Sequence, residues 1–113
     1  MKNYDKEDDI ERLQHVLGAI EDIETLLLIK NRGRLDERAL ERCFEIIGEA
    51  SNRISANLQK EYPEIPWKNI ISLRNVIIHE YDKIVTENLW EIAEHKIPSL
   101  RDWIEGILEK LKP

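Results

Sequence analysis

The sequence has few of the residues that mark disulfide-rich and nucleotide-binding proteins. It contains one cysteine in 113 residues, which excludes an intramolecular disulfide. Cys43 lies between Leu40 and Ile47 at helical spacing, so we expect it to be a small core residue. The four glycines fit neither a Walker nor a Rossmann phosphate loop. Intrinsic nucleotide hydrolysis and hydride transfer therefore have no support in the sequence.

Long apolar runs are also lacking. The longest, Leu26–Ile29, is far too short to cross a bilayer, and the charged N-terminus lacks the apolar stretch of a signal peptide. The three histidines stand apart, with no H-E-x-x-H or cysteine-rich spacing, so neither a zinc site nor any other cofactor is expected. We expect a cytoplasmic protein without a membrane partner.

The chain has fewer basic than acidic residues. It contains 17 lysines and arginines and 23 aspartates and glutamates, which give a net charge of -6. This balance argues against a general nucleic-acid coat protein, and no DNA partner is expected. Arg34, Arg38 and Arg42 nevertheless recur at every fourth position, a stripe suited to guiding RNA. The alternative is an ordinary solvated helix face, in which these arginines pair with the glutamates between them.

Apolar residues at helical intervals dominate the rest of the sequence. They recur at threes and fours over about residues 5–29, 35–59, 66–81 and 86–93 and from residue 98 onward, and no alternating strand pattern competes. These patterns predict an all-α, four- to five-helix up-and-down bundle that forms one domain over residues 1–113. A core of this modest size would suit a dimer partner.

The segment Ser72–Tyr81, SLRNVIIHEY, places polar residues inside an otherwise apolar helix. At 100° per residue, apolar side chains crowd both sides of Arg74, so its guanidinium is centred on the apolar face. Burying an unpaired guanidinium there costs roughly several kcal/mol of stability, unless a carboxylate or a bound anion pairs with it. Glu49, on the apolar stripe of the preceding helix, is the carboxylate expected to pair with Arg74, in a structural more than a catalytic role.

His79 follows Arg74 by five residues, a rotation of about 140° on an unbroken helix. Asn75 precedes His79 by four residues and shares its stripe. Whether the helix continues or frays near Ile78, a single phosphate would reach both Arg74 and His79.

The spacing R-x4-H-x-Y, formed by Arg74, His79 and Tyr81, resembles the signature of the HepT-type toxins of the HEPN superfamily. The segments YPEIPWKNI, LERCFEIIGEASNRI and LWEIAEHKIPSLRDWI resemble the same family, so the likeness covers nearly the whole chain. The resemblance implies a HEPN-like fold and a metal-independent endoribonuclease toxin. It also implies a homodimer and a minimal nucleotidyltransferase (MNT) as the antitoxin partner.

The chemistry that the resemblance implies needs few groups, because ribose supplies its own nucleophile in the 2′-hydroxyl. His79 would take or give the proton, and Arg74 would stabilise the charge that grows on the phosphate. A two-fold dimer would bring both copies of the motif to one cleft, so that base and acid come from different subunits. The products would carry a cyclic phosphate, and the RNA substrate, transfer or messenger, stays open.

Two more side chains are candidates for supporting roles. Asn75 would orient His79 or hold a non-bridging oxygen, and its alternative is a simple helix-face amide. Ser72 lies within about 20° of His79 on the same face. Packing or a phosphate contact suits Ser72, and no serine nucleophile is expected.

The motif tyrosine is, in the resembling family, the residue to which the nucleotidyltransferase attaches AMP, which implies Tyr81 as a modification site. An adenylyl group would add negative charge and bulk beside Arg74 and His79 and would block RNA phosphate. The alternative is a core tyrosine whose hydroxyl makes one hydrogen bond.

Two other classes of function stay open. One is a noncatalytic module that binds a nucleotide or a nucleotidyltransferase partner, which the acidic balance favours. The other is a regulator whose dimer interface uses the buried polar cluster for specificity.

Overall fold

The computed structural model describes the backbone of residues 2–75 and 83–112 and the side chains of residues 6–75 and 89–112. Six helices occupy the described backbone: α1 (Lys2–Leu27), α2 (Arg34–Asn52), α3 (Ala56–Glu61), α4 (Trp67–Ser72), α5 (Lys83–His95) and α6 (Ile97–Leu111). A 3₁₀ turn at residues 73–75 extends α4. These ranges contain no strand, so the all-α prediction is confirmed.

The core lies where α1 packs against α2, with α5 and α6 closing over the pair. Its fully buried hydrophobic side chains come from α1, α2, α5 and α6 and include Leu13, Ile20, Ile23, Phe44, Ile47, Leu89, Ile104 and Ile107. Cys43 is buried beside them, as predicted. Burial raises the pKa of its thiol to about 11, which keeps Cys43 protonated at neutral pH.

The prediction of one continuous helix over residues 35–59 is wrong, because two helices, α2 and α3, occupy this range. α2 ends at Asn52, and α3 begins after Ser55, whose hydroxyl accepts a hydrogen bond of 3.2 Å from the backbone N–H of Leu58. Buried Asp9 of α1 accepts from the Ser55 backbone N–H at 2.8 Å and from the Ser55 hydroxyl at 2.7 Å. A tertiary contact thus fixes a helix start that local periodicity did not show.

Most other described helix ends lie close to the predicted ones, with one exception. The α-helix expected over residues 66–81 ends at Ser72, so Arg74 lies in a 3₁₀ turn and not on the predicted α-helical face, and residues 76–81 of that prediction lie outside the described residues. α5 spans Lys83–His95 and is longer at both ends than the predicted segment 86–93, whereas α6 begins one residue before Pro98. Pro98 fits the first turn of α6, where a backbone N–H would have no helical acceptor. Within the part of the chain that is described, no helix is both long and apolar enough to cross a membrane.

Candidate functional site

Arg74 lies in the turn after α4, where α4 and α2 approach each other backbone to backbone. The crossing occurs at Gly48 of α2. A Cβ atom added to Gly48 would lie 2.4 Å from the backbone N of Arg74, 2.8 Å from the Arg74 Cβ and 2.8 Å from the Ile71 carbonyl oxygen. Cβ atoms essentially never approach other heavy atoms closer than 3.0 Å, so only glycine permits this crossing. Gly48 therefore sets where the Arg74 backbone lies.

The start of α4 is held by buried apolar contacts and one side-chain hydrogen bond. Trp67 and Ile70 are buried, and the Trp67 Nε1–H donates to the carbonyl oxygen of Tyr62 at 3.0 Å. Pro66 precedes the helix, where a missing N–H costs little. With its first turn anchored in this way, α4 carries Arg74 to the Gly48 crossing.

The predicted ion pair between Glu49 and Arg74 is not formed, and that expectation is wrong. Arg74 is half-buried, and neither side chain makes an ion pair with any residue whose side chain the structure describes. The reason is helical geometry, because Glu49 follows Gly48 by one residue and is therefore rotated by about 100° from the crossing with α4. Glu49 instead lines a pocket between α1 and α2.

The other motif residues are placed only in part. Ser72 is exposed, and its hydroxyl donates to the carbonyl oxygen of Asn69 at 2.7 Å. Asn75 is also exposed, in the turn beside Arg74. His79 and Tyr81 lie outside the described residues, so their convergence on Arg74 stays a prediction.

The predicted arginine stripe lies on the surface of α2. Arg34, Arg38 and Arg42 are all exposed. The Arg42 Nη1 forms an ion pair of 2.8 Å with Glu45, and this hydrogen bond raises the pKa of Arg42 above its ordinary value. Arg34 and Arg38 make no ion pair with a described residue. The paired-face alternative therefore applies to Arg42, whereas neither Arg34 nor Arg38 forms such a pair within the described residues.

One group of polar residues was not foreseen. Arg12 and His15 of α1 lie across a pocket of about 140 Å³ from Glu49 and Arg53. The spacings of three and four residues place each pair on one helix face, but periodicity does not show which helices pack together. For the described side chains, no group of three or more histidine, cysteine, aspartate or glutamate residues is arranged to hold a metal ion.

Comparison with known proteins identifies the family. The family model for "Ribonuclease HepT-like" proteins matches residues 7–107, a range that includes the R-x4-H-x-Y motif. The chain belongs to the ribonuclease HepT-like family. The resemblance inferred from the sequence is thereby confirmed.

Curated relatives of this HepT-like chain carry ribonuclease names. The Methanocaldococcus jannaschii protein "Putative RNase MJ1380" is 34% identical over 98 residues, which cover 87% of this chain and 88% of the relative. "Putative RNase MJ1216" of the same organism is 29% identical over 105 residues, 93% of this chain and 85% of the relative. "Probable ribonuclease HepT" of Thermococcus cleftensis is 39% identical over 74 residues, 66% of this chain and 64% of the relative. No solved structure matches the chain.

Proposed function

We propose that this HepT-like protein is a metal-independent endoribonuclease and the toxin of a HEPN/MNT toxin–antitoxin pair. The observation that carries the proposal is the family match over residues 7–107, because that range holds the complete R-x4-H-x-Y motif. The ribonuclease names of relatives that align with most of the chain support RNA as the substrate. The RNA is a transfer or messenger RNA in the cytoplasm.

Arg74 supplies fixed positive charge in the proposed site. Its backbone is set by the Gly48 crossing, and no described carboxylate pairs with its guanidinium, which leaves that group available for a phosphate. The ribose 2′-hydroxyl attacks the adjacent phosphorus, the bond to the leaving oxygen breaks, and a cyclic phosphate results. His79 moves the proton, and Arg74 stabilises the charge that develops on the phosphate. The substrate carries the nucleophile, so no metal is needed to generate one.

A two-fold dimer completes the proposed site by bringing a second motif to the same cleft. Asn75 is exposed beside Arg74, where its amide would hold a phosphate oxygen or orient His79, and exposed Ser72 would make a further phosphate contact. The MNT partner silences the toxin by attaching AMP to Tyr81. The added negative charge then competes with RNA for Arg74 and His79.

Cleavage of total RNA by the purified protein in EDTA tests this proposal. Wild-type protein is expected to cut, whereas His79→Ala and Arg74→Ala are each expected to lose at least about 100-fold in rate, as is typical when a general acid–base group or an electrostatic stabiliser is removed. His95→Ala is the matched control, because His95 is an exposed histidine in the last turn of α5. If the His79 and Arg74 variants cut as fast as wild type, the proposed site is wrong.

The second candidate is a noncatalytic module that binds a nucleotide or a nucleotidyltransferase, which the net charge of -6 favours. Wild-type protein that leaves RNA intact in the same assay but forms a stable complex with an MNT-type nucleotidyltransferase would support this alternative.

A further inference from the structure

A pocket between α1 and α2 collects polar groups that the proposed cleavage site does not use. It has a volume of about 140 Å³ and is lined by Arg12, His15, Ile46, Glu49, Ala50 and Arg53. A single water molecule needs roughly 10–15 Å³, so the pocket has room for a group of several heavy atoms.

The charge of this pocket is opposite in sign to that of the whole chain. Arg12 and Arg53 contribute two positive charges against the single negative charge of Glu49. The chain as a whole carries a net charge of -6. Among acidic surroundings, a concave site with a local positive excess is where an anion would bind.

The arginines of the pocket lack full partners within the described structure. The Arg12 Nε is buried and has no hydrogen-bond acceptor, and the ion pair of the Arg12 Nη1 with Glu11 is long, at 3.7 Å. Arg53 makes no ion pair with a described residue. The described carboxylates therefore leave the positive charge of Arg12 and Arg53 incompletely neutralised, and an anion bound in the pocket would complete the neutralisation.

The pocket also continues the exposed arginine stripe. At 100° per residue, Arg38, Arg42 and Glu49 of α2 fall within an arc of about 40°. Arg53, the C-cap residue of α2, follows Glu49 by four positions. All of these side chains are exposed. Gly48, over which Arg74 crosses, lies about 100° around the helix from Glu49. A strand that follows the exposed face of α2 would therefore reach the pocket at the C-terminal end of the helix, on a different side of α2 from the crossing with Arg74.

We propose that Arg12, Arg53 and His15 bind a phosphodiester group of the RNA substrate in this pocket. The inference rests on the proposed function, because RNA is the polyanion that would follow the stripe. The pocket would thus be a second RNA contact, distinct from the site where Arg74 and His79 would cleave. The negative charge of Glu49 would weaken RNA binding there.

RNA binding measured without cleavage tests the inference. Fluorescence anisotropy of a labelled single-stranded RNA is followed in EDTA, in an Arg74→Ala background, across a series of salt concentrations. Arg12→Gln and Arg53→Gln are each expected to raise Kd about fivefold, the effect of losing one partly exposed charge contact. Each should also reduce the slope of log K against log salt concentration by about 0.7, the value for one contact to a single-stranded phosphate.

Two further variants make the sign of the effect diagnostic. Glu49→Gln is expected to lower Kd about two- to threefold, because it removes the negative charge from the pocket. Lys60→Gln, which removes an exposed lysine of α3 that does not line the pocket, is the matched control and should leave Kd within about twofold of the background. Thermal melts establish that each variant is folded.

The inference is overturned if Arg12→Gln and Arg53→Gln bind RNA with unchanged Kd and salt slope, or if Glu49→Gln weakens binding as strongly as Arg53→Gln. Its failure is separable from that of the proposed function. If the wild-type protein binds RNA through these arginines but never cuts it, the proposed ribonuclease activity is contradicted and the proposed RNA-binding pocket is supported. If the wild-type protein cuts RNA but the Arg12 and Arg53 variants bind RNA with unchanged Kd, only the proposed RNA-binding pocket is wrong.

Discussion

The substitution Gly48→Ala is predicted to impair RNA cleavage much more than it impairs folding. The new Cβ would lie 2.4 Å from the Arg74 backbone N, whereas ordinary contacts begin at 3.4 Å, so the turn that holds Arg74 must move by about 1 Å. A displacement of that size at a catalytic group costs about 100-fold in rate.

The stability change should be small, because two effects of the added methyl group oppose each other. Overpacking a close contact costs about 1–3 kcal/mol. Replacing glycine by alanine inside a helix stabilises it by about 1 kcal/mol. The free energy of unfolding should therefore fall by about 0–2 kcal/mol, which leaves the protein folded while Arg74 is displaced.

The assay combines RNA cleavage kinetics in EDTA with thermal melts. For Gly48→Ala we expect kcat to fall about 100-fold. Gly18→Ala is the matched control, because a Cβ at this position in α1 meets nothing within 4 Å. The control should keep full activity and gain up to about 1 kcal/mol of stability, or about 4 °C in Tm. A Gly48→Ala protein that cuts RNA at the wild-type rate would refute the assigned role of the crossing.

Three further predictions concern the fold and its regulation. Asp9→Asn should lower the free energy of unfolding in urea by about 1–3 kcal/mol, because it weakens the two hydrogen bonds from Ser55, whereas exposed Asp8→Asn should change little. For Cys43, burial raises the pKa to about 11, so the folded state holds the thiol proton more tightly than the unfolded state does. Stability should therefore fall as pH rises from about 9 towards 11, and a thiol reagent at pH 8 should label denatured protein much faster than native protein. Tyr81→Phe should keep RNA cleavage but gain no AMP mass in the presence of an MNT partner and ATP, and an AMP adduct on the variant would exclude Tyr81 as the sole target.

The extent to which the fold could be predicted differs from helix to helix. Apolar periodicity located α1, the start of α2 and all of α6, because each buries a regular stripe against its neighbours. The break between α2 and α3 was missed because it depends on Asp9, which is 46 residues from Ser55 in sequence. No local pattern encodes a partner at that distance.

The candidate site was predictable in its residue types but not in its contacts. Arg74 could be singled out because a guanidinium on an apolar helix face demands a partner. Its expected partner Glu49 was misplaced because the crossing helices meet at Gly48, one residue earlier, and only the packing of α4 on α2 reveals this. The pocket of Arg12, His15 and Arg53 was missed for the same reason, because its two sides come from different helices.

The most direct test of the central claim is mass spectrometry of the RNA ends that the protein generates in EDTA. Wild-type protein is expected to produce fragments ending in a cyclic phosphate, and both Arg74→Ala and His79→Ala are expected to lose them. Fragments that form only when a divalent metal is added, or cyclic ends that persist at the wild-type rate in both variants, would contradict it.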